Sequence, residues 1–360
     1  MKILKKIFVF LHFIFYFIVV LEFIDHNFFH RKLYSLIIIY FIKMVKKPYL
    51  IEVNISGSEG ERGPSKFIKG IKDILPYYSS GNCFFVSSNN INPINGKNKS
   101  DFFFLPLARF SNFTYNKWVN IGKVNRLILG PIFVPNFWSL FPNKRIWYEK
   151  RFPEILQSVK GIGVHSTRVR DYLAIRSNTT DKISKFIIIR PCTNLAPKKV
   201  KPFNKRTIDI LLFEKYADFN RRPQANKLYN YFRNSSTKII KLIYGKYNKN
   251  LMIKLANNAK FIIYFSFYDT GAIGLKEIQN FGVIAFTHQK EFVISNDTSF
   301  FVPELANEDN IEPAYKIILN IIKNVLSSCP NTRQIARKNQ EINRCQNALE
   351  DICQSVSNYH

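Results

Sequence analysis

One pattern, written twice, limits what this chain can become. Short runs rich in β-branched and aromatic residues alternate with segments of helical spacing. In the first half, strands are expected at Tyr49–Ile55, Cys83–Ser88, Asp101–Leu107, Leu127–Pro131, Gly161–His165 and Lys185–Arg190. Between them, Lys66–Leu75, Arg145–Val159 and the stretch after Ser166 carry apolar residues at helical intervals. Pro191–Arg206 then breaks the rhythm with three prolines and five basic residues, and reads as a linker. The alternation restarts with strands at Thr207–Phe213, Lys238–Tyr244, Ala259–Phe265 and Val283–Thr287. Helices are expected at Arg222–Phe232, Lys249–Asn258, Gly274–Asn280 and Ile311–Leu326, with a polar helical tail over Thr332–Val356. Strands alternating with helices predict mostly parallel sheets covered on both faces. The expected fold class is therefore α/β, in two lobes that share a crevice at the carboxyl ends of their strands.

The opening of the first lobe is specific. Strand Tyr49–Ile55 runs into a glycine-rich loop, Ser56–Ser65 (SGSEGERGPS), and then into a helix. Strand, glycine loop, helix is how a Rossmann-like unit begins. A glycine loop alone is a weak signal, because a flexible turn has the same composition.

Charge and composition narrow the partners. The chain has 360 residues and a formal net charge of +28, with 46% hydrophobic residues. That hydrophobic content supports a packed core and argues against disorder. The positive balance favours anionic partners: nucleotides, nucleic acid or acidic lipid headgroups. The basic residues are spread along the whole chain, and no zinc-finger, homeodomain or RNP-like signature accompanies them, which disfavours nucleic acid. The five cysteines, Cys83, Cys192, Cys329, Cys345 and Cys353, match no zinc spacing, and their odd number argues against a full disulfide framework. Reduced thiols in a folded core are expected.

The N-terminus raises the membrane. Basic residues up to Lys6 precede an apolar run from Ile7 to Phe23, broken by His12 and Glu22. That is close to the roughly 18 residues a spanning helix needs. No small-residue cleavage site follows, so a hydrophobic N-terminal anchor helix is expected rather than a cleaved signal. A second, shorter run covers Leu33–Ile42. Basic residues flank both sides, so one span would carry the body across the membrane and two would return it. The N-x-S/T sequons begin at Asn54, Asn98, Asn112, Asn178, Asn234 and Asn296. A glycan on Asn54 would obstruct the crevice, which argues for a body on the cytoplasmic face. Met44 also stands directly before the folded pattern.

The most informative stretch is Ala259–Phe286, AKFIIYFSFYDTGAIGLKEIQNFGVIAF. A strand ends in Ser266; Asp269, Thr270, Gly271 and Ala272 form a turn; a helix carrying Glu277 follows; Gly282 leads into the next strand. Free N–H groups where such a turn feeds a helix suit a diphosphate, and Gly271 lets backbone approach closely. The bland reading of Glu277 alone is a solvated helix residue. The agreement of strand, turn, acid spacing and following strand weakens it.

This string resembles the donor-site motif of GT-B glycosyltransferases, particularly retaining family-4-like enzymes, in which two acids form an E-x7-E pattern. Asp269 and Glu277 stand at that spacing, with Asp in the first place, and the proline usual in the following Gly-Val-Pro-Val strand is missing. Ser56–Ile71 looks like the family's N-terminal glycine loop, which implies that Gly57, Gly60 and Gly63 line the cleft. Residues 163–171 (GVHSTRVRD) resemble the strand and serine-led helix late in the first lobe, bringing His165 near the cleft. A core or hydrogen-bonded histidine is the plainer reading of it. The family's diphosphate-neutralising cations imply roles for Lys215 and Arg221, with Arg222 close behind. The resemblance covers Tyr49–Leu326.

The implications are these. Residues 46–190 form an acceptor-side lobe, 191–206 a linker, 207–328 a nucleotide-sugar lobe and 329–360 a helical tail, behind an anchor or interfacial segment over 1–45. The co-substrate is a nucleotide-sugar. The acceptor is a glycan, lipid or protein, and the sugar is transferred with retention. No Asp-x-Asp metal motif is present in the sequence and no metal cofactor is implied. Catalytic roles fall to Asp269 and Glu277, and donor binding to Lys215, Arg221, Thr270, Gly271 and Ala272. A membrane is an expected partner. Two other readings stand beside this one: a GT-B-like binding protein without catalysis, and a basic membrane-surface or nucleic-acid-binding protein.

Overall fold

The computed structural model describes residues 48–56, 63–78, 80, 82–89, 100–105, 112–132, 151–215, 222–266, 271–293, 298–307 and 309–357. Both expected apolar runs of the N-terminus lie outside them. Among the described residues no helix is long and apolar enough to cross a membrane.

Two parallel sheets form, one from each half of the pattern. The first contains β1 (Tyr49–Asn54), β2 (Cys83–Ser88), β3 (Phe102–Leu105), β4 (Leu127–Ile132), β5 (Gly161–Val164) and β6 (Phe186–Ile188), in the order β2-β1-β3-β4-β5-β6. The second contains β7 (Ile208–Glu214), β8 (Ile239–Ile243), β9 (Ala259–Phe265), β10 (Ile284–Thr287) and β11 (Ser299–Phe301), in the order β11-β10-β9-β7-β8. All the recorded pairings are parallel. The central strands are apolar almost throughout: β3 is FFFL and β9 is AKFIIYF. That is the composition of strands covered on both faces. The short strand β11 escapes the sequence reading. Three residues pairing parallel to β10 are too few to show a period.

Strand order locates the crevices. Each sheet starts in its interior and grows first one way, then the other, so chain direction switches between β1 and β3 and again between β7 and β9. Open α/β sheets bind ligands outside the carboxyl ends of their strands at such points.

The helices are α1 (Gly63–Ile74), α2 (Asn112–Asn120), α3 (Thr167–Arg176), α4 (Arg222–Asn234), α5 (Lys249–Asn258), α6 (Ile273–Gln279), α7 (Glu312–Ser328), α8 (Thr332–Ile342) and α9 (Cys345–Ser357), with a further helical run over 151–158. The stretch expected to be a polar tail is thus two helices. The second, α9, buries Cys345, Ala348, Leu349, Ile352, Cys353 and Val356 in one cluster with Phe67, Ile68 and Ile71 of α1. Arg190 at the end of the first sheet donates to Asp351 on α9 through both its backbone N–H and its guanidinium.

The cysteines require a correction. Cys83 on β2 and Cys353 on α9 are joined in a disulfide across 270 residues of sequence. Cys192 and Cys345 are buried thiols and Cys329 is exposed. Odd-number arithmetic could not reveal one pair brought together by a helix that returns to the first lobe. Asn54 is only 1% exposed, so its sequon is closed to modification in the folded chain.

Candidate functional site

The second lobe's switch point gathers the predicted donor residues that the structure describes. Lys215 follows β7 directly. Its N–H donates to the Phe265 carbonyl at the end of β9 (3.3 Å), and its ammonium lies 5.5 Å above the Tyr244 ring. Lys215 therefore stands at the carboxyl ends of the two strands that frame the crevice. Arg221, Asp269 and Thr270 lie outside the described residues, as do Gly57 and Gly60. Arg222 and Gly63 are each the first residue of a helix, α4 and α1.

Gly271 and Ala272 lead into α6. Ala272 adopts a left-handed backbone, φ 46° and ψ 36°, and is buried. A Cβ on Gly271 would sit 2.8 Å from Cδ2 and 3.2 Å from Nε2 of His165, and 3.4 Å from Cβ of Pro191. The sequence suggested that Gly271 admits a ligand. The structure shows that it admits the first lobe. His165 is buried, packs edge-on against Phe67 at 5.4 Å and places Nδ1 2.9 Å from the Ile189 carbonyl. A carbonyl only accepts, so Nδ1 carries the proton and Nε2 faces the Gly271 side. His165 and Gly271, 106 residues apart in sequence, are thus direct neighbours.

Glu277 is the central carboxylate. It lies on α6, is 4% exposed, and its Oε2 is 2.6 Å from the Lys66 ammonium on α1 of the first lobe. A buried carboxylate without a partner costs several kcal/mol. Tyr247 lies close by: burial and the Glu277 charge push its phenol well above the usual tyrosine range. Its hydroxyl is 3.8 Å from where a Cβ on Gly274 would stand, and Phe213 reaches the same point at 3.2 Å. Phe213, Tyr244 and Tyr247 form an aromatic wall with ring centres about 6 Å apart beside α6.

A polar network that sequence reasoning missed holds α6 from behind. Lys276, next to Glu277, is buried and donates to the Asn343 side chain at 3.1 Å. Burial drives its ammonium down to about 8. Asn343 also donates to Asn280 Oδ1, Asn280 to the Leu195 carbonyl, Asn339 to the Gln279 carbonyl and Gln340 to the Asn280 carbonyl. Gly282, at φ +73°, ends the turn after α6; a Cβ there would meet the Thr332 carbonyl of α8 at 2.3 Å. The Asn-rich composition of the chain hid this network, since no single Asn stands out among so many.

The first lobe contributes its own edge. Asn54 at the end of β1 accepts through Oδ1 from the N–H and hydroxyl of Ser56, turning the chain toward the glycine loop. Arg168 of α3 pairs with Glu291 and donates to Gln289 Oε1 at 3.1 Å, both after β10. Among the described residues no group of three or more His, Cys, Asp or Glu side chains could hold a metal ion.

No family model matches the chain, and neither does any curated protein sequence. Its fold does match solved structures. The lipopolysaccharide outer core galactosyltransferase WaaB superposes with a TM-score of 0.50 at 9% identity, covering 87% of this chain and 100% of that one. Sucrose-phosphate synthase from Thermosynechococcus elongatus gives 0.49 at 10% identity over 87% of this chain and 98% of its own. A TarM variant from S. aureus, in complex with fondaparinux, α-GlcNAc-glycerol and UDP, gives 0.47 at 12% identity over 80% of this chain, which spans only 58% of the TarM chain. The two-lobed α/β fold of this chain is thus similar to that of the galactosyltransferase WaaB.

Proposed function

We propose that this protein is a glycosyltransferase that moves a sugar from a nucleotide-sugar donor to a glycan, lipid or protein acceptor, with retention of configuration. One observation carries the reading. Glu277, the second acid of the E-x7-E resemblance, is a buried carboxylate on the helix that follows β9 and pairs with Lys66 of the first lobe. The GT-B-like fold supports it.

In this reading Glu277 accepts hydrogen bonds from the donor ribose, and the wall of Phe213, Tyr244 and Tyr247 flanks the nucleoside. Lys215, with Arg221 and Arg222, neutralises the diphosphate. Asp269 addresses the sugar hydroxyls, and Thr270, Gly271 and Ala272 line the turn between. Gly57, Gly60 and Gly63 approach from the first lobe. His165 positions the donor turn through its contact with Gly271. The chemistry needs charge on the departing diphosphate to be stabilised where it develops, and fixed cations and dipoles in a water-poor cleft do this. Positioning supplies the rest. No metal is required by the reading. A membrane-anchored N-terminus, with the body on the cytoplasmic face, completes the proposal.

The test is turnover. The full chain is incubated with UDP- and GDP-sugars and a panel of glycan, lipid and peptide acceptors, and release of nucleoside diphosphate is measured. Acceptor-dependent release that Glu277→Gln lowers at least tenfold is expected. Nucleotide-sugar binding without release across the panel would favour the second reading, a binding protein that has lost catalysis. The Asp at the first acidic position of the motif is the observation behind that alternative.

A further inference from the structure

We propose that Lys66 is a positioning residue for the donor: it holds the Glu277 carboxylate in the orientation that reads the ribose hydroxyls, and it does so only when the two lobes are closed on each other. The inference rests on the assignment of Glu277 to the ribose.

Four observations converge. First, the ammonium of Lys66 is 2.6 Å from Glu277 Oε2, although the residues are 211 apart in sequence and belong to different lobes. Second, Lys66 is held by its helix. The next residues, Phe67, Ile68 and Ile71, are fully or almost fully buried in the first lobe's core, so α1 presents the ammonium from a fixed base. Third, Glu277 has little freedom of its own. Its helix is held through Lys276, Gln279 and Asn280 by hydrogen bonds with Asn339 of α8 and with Asn343 just after it, and its carboxylate is buried. Fourth, Phe67, beside Lys66, packs on His165, whose ring lies against Gly271 just before α6. One segment of α1 therefore reaches α6 directly through Lys66 and, by way of His165, the residue that leads into it.

The chemistry follows from the charge. Ribose hydroxyls are neutral donors, so they cannot replace a cation beside a buried carboxylate. Lys66 supplies beside the buried Glu277 carboxylate a positive charge that the sugar hydroxyls do not. A carboxylate offers about four acceptor sites, so one ammonium does not saturate it. Lys66 also fixes the carboxylate plane, which decides whether two vicinal hydroxyls can both reach it. Because the cation comes from the opposite lobe, opening the cleft by a few ångströms would break the pair and disorder the ribose site.

The experiment uses the full chain and isothermal calorimetry with UDP and GDP, taking forward whichever binds more tightly, against its 2′-deoxy analogue. The readout is the ratio of the two affinities. The variants are Lys66→Met, Lys66→Arg, Glu277→Gln and the double variant Lys66→Met with Glu277→Gln. Wild type is expected to favour the ribonucleotide about tenfold or more, the worth of one lost charge-assisted hydrogen bond. Lys66→Met should bring the ratio several-fold toward one, and Lys66→Arg should restore most of it. The double variant should match Glu277→Gln alone, because Lys66 acts through that carboxylate. Thermal unfolding of each variant separates these outcomes from misfolding, and Lys66→Arg keeps the test open if Lys66→Met fails to fold. A wild-type ratio in folded Lys66→Met, with the ratio lost in Glu277→Gln, overturns the role of Lys66 and leaves the ribose site standing. A ratio unchanged in Glu277→Gln, or no binding of either nucleotide, overturns the ribose assignment and this inference with it.

Discussion

Lys66–Glu277 and Arg168–Glu291 both join a cation of the first lobe to a carboxylate of the second, yet they stand in different surroundings. The side chains of the first pair are 21% and 5% exposed, those of the second 47% and 24%. A pair open to water gains about 0–1 kcal/mol and is screened by salt. A buried pair is weak evidence of stability, but removing one partner leaves an uncompensated charge, with losses of about 3–5 kcal/mol in comparable cases. The two bridges therefore have different roles. Arg168–Glu291 is a partly exposed contact between the lobes. Lys66–Glu277 is set in the proposed donor site, where geometry would matter more than net attraction.

That contrast can be broken by substitution. The largest effect belongs to Glu277→Gln, which keeps the shape and removes the charge: the melting temperature should drop because Lys66 loses its counter-charge, and donor turnover should fall at least tenfold at a temperature where the variant stays folded. Wild-type turnover in the folded variant would remove Glu277 from the site. Next comes Gly271→Ala. Its Cβ would press on the His165 ring at 2.8 Å, and forcing an extra carbon into packed ground costs about 1–3 kcal/mol. Urea unfolding should show that loss, and His165→Ala in the same chain should recover part of it. No recovery would mean that the lobes do not meet at this point.

Lys276 gives a smaller, pH-dependent effect. Its folded-state value of about 8 lies below the ordinary lysine value of 10.5, because burial disfavours the charged form. Between these values the unfolded chain binds the extra proton, so stability from this group rises from pH 8 toward pH 10.5 and falls as pH drops back through 8. Lys276→Met should flatten that part of the stability–pH curve, measured by urea unfolding. A parallel curve in the variant would show that Lys276 titrates normally. The smallest effect is expected from Arg168→Ala, within about 1 kcal/mol and diminishing in high salt. A larger loss would mean that this exposed pair holds the lobes together.

Much of the architecture was legible because parallel sheets announce themselves. Runs such as FFFL and AKFIIYF have no solvent face to interrupt them, and the proline-rich basic stretch marks the break between the lobes. The position of Glu277 could be read as well, since its helix follows a strand and a glycine turn. The partners of these residues could not. Lys66 is one lysine among many in a chain of net charge +28, and nothing local distinguishes it from a solvated lysine. Its meeting with Glu277, like that of His165 with Gly271 and of Cys83 with Cys353, depends on how the lobes and the returning helix α9 come together. That arrangement is set by packing between distant segments, which has no period in the sequence.

The most direct test of the central claim is donor binding itself. UDP- and GDP-sugars are titrated by calorimetry into the wild-type chain and into Glu277→Gln. Micromolar binding of one nucleotide series is expected, weakened at least tenfold in the variant. Equal binding by both proteins, or binding by neither, would contradict the assignment of this cleft to a nucleotide-sugar held by Glu277.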